Sequence, residues 1–177
     1  MNINEHEIIT KSIEFGAFKS GFTDVADVVF EPELRKACEA NYCGNYGRNH
    51  TCPPKIGTAE ELIARAKSYN RIFVFQTVTP LEDSFDFEGM TDARIHHSEI
   101  ASKIEELFDI PHLQLTAGGC TFCERCAGYE GQPCRHPDKA VASLEAYCIN
   151  VAKLAGKCGM KYINGQDTVT YFAGFLF

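Results

Sequence analysis

Seven of the nine cysteines fall into two compact sets whose spacing can do chemistry. Cys120, Cys123 and Cys126 make two overlapping C-x-x-C units, followed by Cys134 in C-R-H-P. Cys38, Cys43 and Cys52 form a sparser set, C-x4-C-x8-C, that runs into Pro53 and Pro54. Loops this short cannot bury so many thiols as packing side chains. A metal site, a disulfide scaffold and a redox relay remain. A disulfide scaffold belongs to smaller, secreted chains, and an odd number of cysteines fits it poorly.

Overlapping C-x-x-C-x-x-C suits an iron–sulfur cubane, because each thiolate must meet a different iron and the ligands should curl from one tight loop. The spacing is similar to that of the bacterial ferredoxin run, with two departures. Cys134 follows after seven residues instead of three, and Pro137 stands three residues beyond it. The intervening GYEGQP can absorb the difference. Zinc is the alternative. It takes four ligands in a tetrahedron, usually from two separated knuckles, and adjacent knuckles here would have to share Cys123.

The first set is less specific. Its three thiols can join the second set, hold a centre of their own, or be partly structural. Two cubanes need eight ligands, and the two sets supply seven. If both centres exist, one iron is held by another residue, for which His50 is the local candidate, or it is left open for Lewis-acid chemistry.

These motifs resemble the predicted metal-binding proteins grouped as domain of unknown function 2284. The resemblance rests on Cys43 through Tyr46-Gly47 to Cys52-Pro53-Pro54, on Gly119-Cys120 with C-x-F-C-x-x-C, on C-R-H-P-D-K-A with S-L-E-A-Y, and on the ending TVTYFAGFLF. It runs from Cys38 to the terminus. It implies a cytoplasmic metal-binding protein of anaerobes with iron–sulfur centres, and it supplies no reaction. Such proteins are expected to carry glycine at position 148, where this chain has Cys148. That departure leaves Cys148 out of the expected ligand set.

Other residues near the cysteines have plainer readings beside the functional ones. Arg135 and His136 can donate hydrogen bonds to a cluster sulfur, or simply cap a helix that starts at Pro137. Tyr42, Tyr46 and Tyr129 flank the cysteines and are expected to shield a cluster from water. Gly118-Gly119 reads as a turn that lets the backbone approach a cluster. His97 lies on an apolar helical stripe and reads as a half-buried packing residue. No dinucleotide-binding glycine motif, phosphate-binding loop or Ser/His/Asp arrangement is present.

The elements that must position these residues follow from periodicity and punctuation. Residues 4–19 read as a helix ending at Gly21, residues 22–30 as a strand, and Pro32 to Ala40 as a short helix that opens into the first cysteine loop. Thr58 and Glu61 form a capping box for a helix to Tyr69. RIFVFQTV is apolar at both parities, which predicts a strand buried on both faces. A helix over 92–108 and the strand HLQLT lead to the dense cysteines. Pro137 opens a helix to Lys157, closed by Gly159, whose stripe of Val141, Leu144, Cys148, Val151, Ala155 and Cys158 makes those two cysteines core residues. MKYIN and TVTYFAGFLF form a terminal hairpin.

The expected fold is therefore α/β of the α+β kind: a single domain over 1–177 with a mixed sheet of about five strands covered by helices. The net charge of −7 and the lack of any Lys/Arg run argue against nucleic acid. No apolar run approaches the roughly 18 residues that span a membrane. The first residues have no basic stretch or cleavage site of a secretory signal, which places the chain in the cytoplasm. The sequence-level reading is an iron–sulfur protein with one or two [4Fe-4S] clusters, zinc being the alternative, that serves a redox partner protein in anaerobic metabolism. Its ligands are Cys120, Cys123, Cys126 and Cys134, with Cys38, Cys43 and Cys52 for a second centre. Two rival classes are an enzyme using an open iron and a zinc-stabilised interaction module.

Overall fold

A strand that is apolar at both parities must be covered on both sides, and the computed structural model, which describes residues 3–177, is built around one. Along the chain run α1 (Glu5–Glu14), β1 (Lys19–Asp24), α2 (Arg35–Glu39), α3 (Ala59–Lys67), β2 (Arg71–Pro80), α4 (Phe87–Glu105), β3 (Leu113–Thr116), β4 (Ala142–Ser143), α5 (Val151–Lys157) and β5 (Thr168–Leu176). The strands form one open mixed sheet in the order β1-β2-β5-β3-β4. All pairings are antiparallel except that of β3 with β4, which is parallel. This is an α+β fold.

The alternation of β2 divides the core in two. Ile72 and Val74 face one layer with Leu115, Leu144, Tyr147, Leu154 and Leu176. Phe73 and Phe75 face the other with Phe175, Ile100, Ile104 and Phe108, under α1 and α4. Each fully buried phenylalanine contributes about 1.5–3 kcal/mol of hydrophobic stabilisation. The capping box at Thr58 and Glu61 forms as the sequence predicts, with both reciprocal hydrogen bonds present.

Four expectations need correction. β1 begins at Lys19 and ends at Asp24, and the chain then turns through a short 3-10 helix, Val25–Asp27. Asp24 pairs with Arg71 and does not continue a strand. Gly21 lies inside β1, where a Cβ would stand 3.2 Å from that of Cys158; α1 has already ended at Glu14. The expected helix from Pro137 to Lys157 is broken into a 3-10 turn (Pro137–Lys139), β4, another 3-10 turn (Glu145–Tyr147) and α5. Its apolar stripe does reach the core, but the Ser143 hydroxyl accepts from the Ala146 N–H in the turn after β4, and Asn150 caps a fresh helix start at α5 by accepting from the Lys153 N–H. The terminal hairpin does not form. β5 pairs with β2 along its length and with β3 only over Gly174–Leu176, and residues 160–164 form no strand.

α4 is seated on the sheet by His97, which is fully buried, not half-buried. Its ring stacks on Phe75 at 4.9 Å, and its Nδ1 lies 2.9 Å from the Thr77 hydroxyl. Its Nε2 faces the Phe172 backbone without completing a hydrogen bond. Burial lowers the imidazole from 6.5 to about 4, so the folded chain holds it neutral. Between pH 6.5 and 4 the unfolded chain therefore binds the extra proton, and stability falls as pH falls through that window. The loss approaches roughly 3 kcal/mol below pH 4, from the size of the shift. Chemical denaturation of wild type and His97→Phe across pH 4–7 tests this, the variant being expected to lose that part of the slope.

Candidate metal centre

Parallel strands require a crossover connection, usually a helix. Here the crossover between β3 and β4 is the cysteine-rich segment 117–141, which carries only the 3-10 turns Ala127–Glu130 and Pro137–Lys139. Loops this long without regular structure are uncommon in compact folds and are usually functional. This one is fastened to the loop that carries Cys43 and Cys52. Asn49 and Thr51, both buried, lock onto Cys120. The Asn49 amide donates to the Cys120 carbonyl at 3.1 Å, and the Cys120 N–H donates to the Thr51 hydroxyl at 3.0 Å. That hydroxyl and the Thr51 N–H donate in turn to Asn49 Oδ1. Lys55 Nζ bridges the two loops by donating to the carbonyls of Arg48 and Gly128, and the Tyr129 hydroxyl donates to Asn45 Oδ1 at 2.6 Å.

With the loops zipped this way, Cys120, Cys123, Cys126 and Cys134 line one small chamber near the surface, with walls that are mainly apolar. All nine thiols are free. Cys38, Cys43 and Cys52 form a second neighbourhood. Burial, with Cys43 and Cys38 close by, pushes the Cys52 thiol up to about 11. Cys126 is also within electrostatic reach of Cys52, so the two sets adjoin. Gly119 is where they touch: a Cβ there would stand 3.1 Å from the Cys52 sulfur. The Gly118-Gly119 turn, with Gly118 at φ 74°, brings the backbone against Cys52. Among the described residues, no three His, Cys, Asp or Glu side chains converge tightly enough to hold a single metal ion.

A family model described as a predicted metal-binding protein (DUF2284) matches residues 22–177. The chain belongs to this family. The match begins ahead of Cys38 and takes in all seven cysteines of the two sets. No curated protein matches the chain. Two solved structures are distantly similar. Epoxyqueuosine reductase from Streptococcus thermophilus is 14% identical with a TM-score of 0.41, the alignment covering 99% of this chain and 46% of that one. Epoxyqueuosine reductase with an epoxyqueuosine-modified tRNA-Tyr stem loop is 12% identical with a TM-score of 0.40, covering 96% and 44%. The chain spans less than half the length of either protein.

In this DUF2284 chain the residues around the thiols sort clearly. His50 lines the chamber of Cys123, Cys126 and Cys134, and its Nε2 is bonded to the Gln132 carbonyl at 2.7 Å. A carbonyl only accepts, so Nε2 carries the proton and the lone pair lies on Nδ1. Arg135 and His136 also line that chamber, where the Arg135 guanidinium is held by the Arg125 carbonyl and the His136 ring meets the Phe122 edge at 5.0 Å. Tyr129 sits between the Arg48 and Arg125 guanidinium groups. Tyr42 is 97% exposed and shields nothing, because its loop turns outward at Asn41, where φ is 56°.

A cleft of about 770 Å3 runs between α4 and this loop, lined by Arg94, Ser98 and Glu99 on one side and Cys43, Cys120 and Cys123 on the other. Asn49, Thr51 and Lys55 went unnoticed in the sequence. Their signal was the run N-H-T-C within a loop, since short polar side chains there bond to backbone.

The zipper has a sensitive point at Gly128, where a Cβ would overlap the Arg48 carbonyl oxygen and press on the His50 ring. Gly128→Ala is expected to part the loops, destabilise the chain by about 1–3 kcal/mol through overpacking, and lower metal retention. Gly156→Ala, in open space on α5, is expected to leave metal retention unchanged and to raise stability slightly through helix propensity. Metal content and melting temperature of the two variants check this.

Proposed function

We propose that this metal-binding protein is an iron–sulfur protein that carries electrons for a partner protein. In this reading Cys120, Cys123, Cys126 and Cys134 hold a [4Fe-4S] cluster, and the sparser first set holds a second. The observation that carries it is the shared chamber. Cys120, Cys123, Cys126 and Cys134 together line one mainly apolar space. That arrangement suits a polynuclear cluster, in which each thiolate meets its own iron, better than a single tetrahedral zinc.

A cubane so held would exchange single electrons at a potential set by its charge, its hydrogen bonds and its exposure to solvent. The protein's own part is then specific. Arg135 and His136 bring N–H donors to the chamber, and Phe122 lines it beside His136. The Asn49–Thr51 lock fixes the backbone at Cys120. The adjoining thiol sets put Cys52 near Cys126, which supports passage of electrons between two centres. The partner is a redox protein, and the setting is the oxygen-poor cytoplasm of an anaerobe. No helix among the described residues is long and apolar enough to cross a membrane.

The cleft along α4 favours a second reading, an enzyme that reduces or binds a small molecule beside the thiols. Its volume, about 770 Å3, lies within the range of ligand sites.

Anaerobic purification decides the main point. Iron matched by acid-labile sulfide, a brown colour, and loss of about four irons in Cys134→Ser are expected. Stoichiometric zinc without iron or sulfide would overturn the reading in favour of a zinc-stabilised module.

A further inference from the structure

Spacing leaves the first set one thiol short, and the fold brings another beside it. Cys148 is a fully buried core residue, flanked by Leu144, Tyr147 and Ile149 of one apolar layer. Cys158, the other cysteine on the supposed stripe, packs against the core as expected. The backbone at Cys148 is left-handed, with φ 60° and ψ 21°. That conformation costs a residue with a side chain roughly 1–2 kcal/mol. Such strain collects where a side chain must be placed for a purpose.

What Cys148 faces follows from the path of the chain. Residues 29–31 are stitched to 148–150: the Glu31 N–H donates to the Cys148 carbonyl at 2.7 Å, the Asn150 N–H donates to that of Val29, and Phe30 bridges Ile149. The chain then turns at Pro32–Leu34 into α2, where Arg35 and Cys38, three residues apart, share a face. Arg35 pins that face to the Cys148 turn by donating to the Ala146 carbonyl at 3.1 Å, and to the Gly57 carbonyl behind it at 3.2 Å. The Cys148 sulfur lies beside the Arg35 guanidinium and within electrostatic reach of Cys38. Cys38 is in turn near Cys43 and Cys52.

We propose that Cys148 is the fourth thiol of the first set, so that Cys38, Cys43, Cys52 and Cys148 together hold a second [4Fe-4S] cluster. This rests on the iron–sulfur reading above. On loading, each thiol releases its proton to solvent as its sulfur takes an iron, and Arg35 supplies positive charge beside two of the four sulfurs. The ligand count becomes eight, as two cubanes require, so no ligand outside the cysteines is needed.

The test compares full-length wild type with Cys148→Gly, Cys148→Ser and Cys158→Ala, reconstituted with ferrous iron and sulfide without oxygen. Glycine removes the sulfur and relieves the left-handed backbone, so the unloaded variant is expected to fold as well as wild type. About eight irons per chain are expected in wild type and in Cys158→Ala, and about four in Cys148→Gly. Cys148→Ser, which keeps an oxygen donor, is expected to shift the electron paramagnetic resonance of one centre only. Iron content and spectra unchanged in Cys148→Gly would overturn the assignment whatever the wild-type count, and would leave the iron–sulfur reading standing. A wild-type chain that takes up no iron and sulfide would overturn both.

Discussion

The lock between Asn49, Thr51 and Cys120 is the constraint on which the thiol sites depend. A parallel pair of strands obliges the chain to cross over, and here the crossover has no helix to satisfy its backbone. Buried N–H and carbonyl groups must then find partners elsewhere. Thr51 serves twice, accepting from the Cys120 N–H and donating to Asn49, while Asn49 spends its amide on the Cys120 carbonyl. Three residues thus close a buried network in which every bond depends on the others. Such networks rigidify when complete and cost stability when broken. The first sulfur of the dense run is held by this network, not by secondary structure.

The sheet explains where the crossover can lie. β2 and β5 fill the middle, and their two faces are closed by apolar layers on either side. β3 and β4 sit at one edge, so the segment between them leaves from the rim of the sheet and lies on the surface, beside α4. Polar loops belong there, since an unpaired backbone cannot be buried cheaply. The thiols are consequently held at the margin between core and solvent, half-buried in seven of the nine cases. A redox group at such a margin is insulated from water and still reachable by a partner.

Much of this was legible in the residues, and the failures share a cause. RIFVFQTV declared a strand covered on both faces, and Thr58 with Glu61 declared a helix start, because each signal is local and has one structural meaning. The run from Pro137 to Lys157 has helical apolar spacing, but the same spacing serves a chain that bends around the core through short turns. Ser143 and Asn150 were the marks of that bend. The hairpin failed for a reason no local pattern carries, namely that both neighbours of β5 are distant in sequence. The cysteine runs themselves were plain in the sequence, since C-x-x-C spacing is local. The zipper that unites them was not, because Asn49 and Cys120 are far apart along the chain and meet only in the fold.

Placing Cys148 against Arg35 and Cys38 changes what the chemistry of the first set can be. With three thiols, one iron would lack a protein sulfur, and the cleft beside Cys43 would open onto a Lewis acid. With four, every iron has its thiolate, and the cleft offers only its own side chains to a ligand. Arg94 and Glu99 of α4 line that cleft across from Cys43. The choice between a carrier and an iron-centred catalyst therefore turns on one residue. That residue tolerates a left-handed backbone where glycine would have been free of strain.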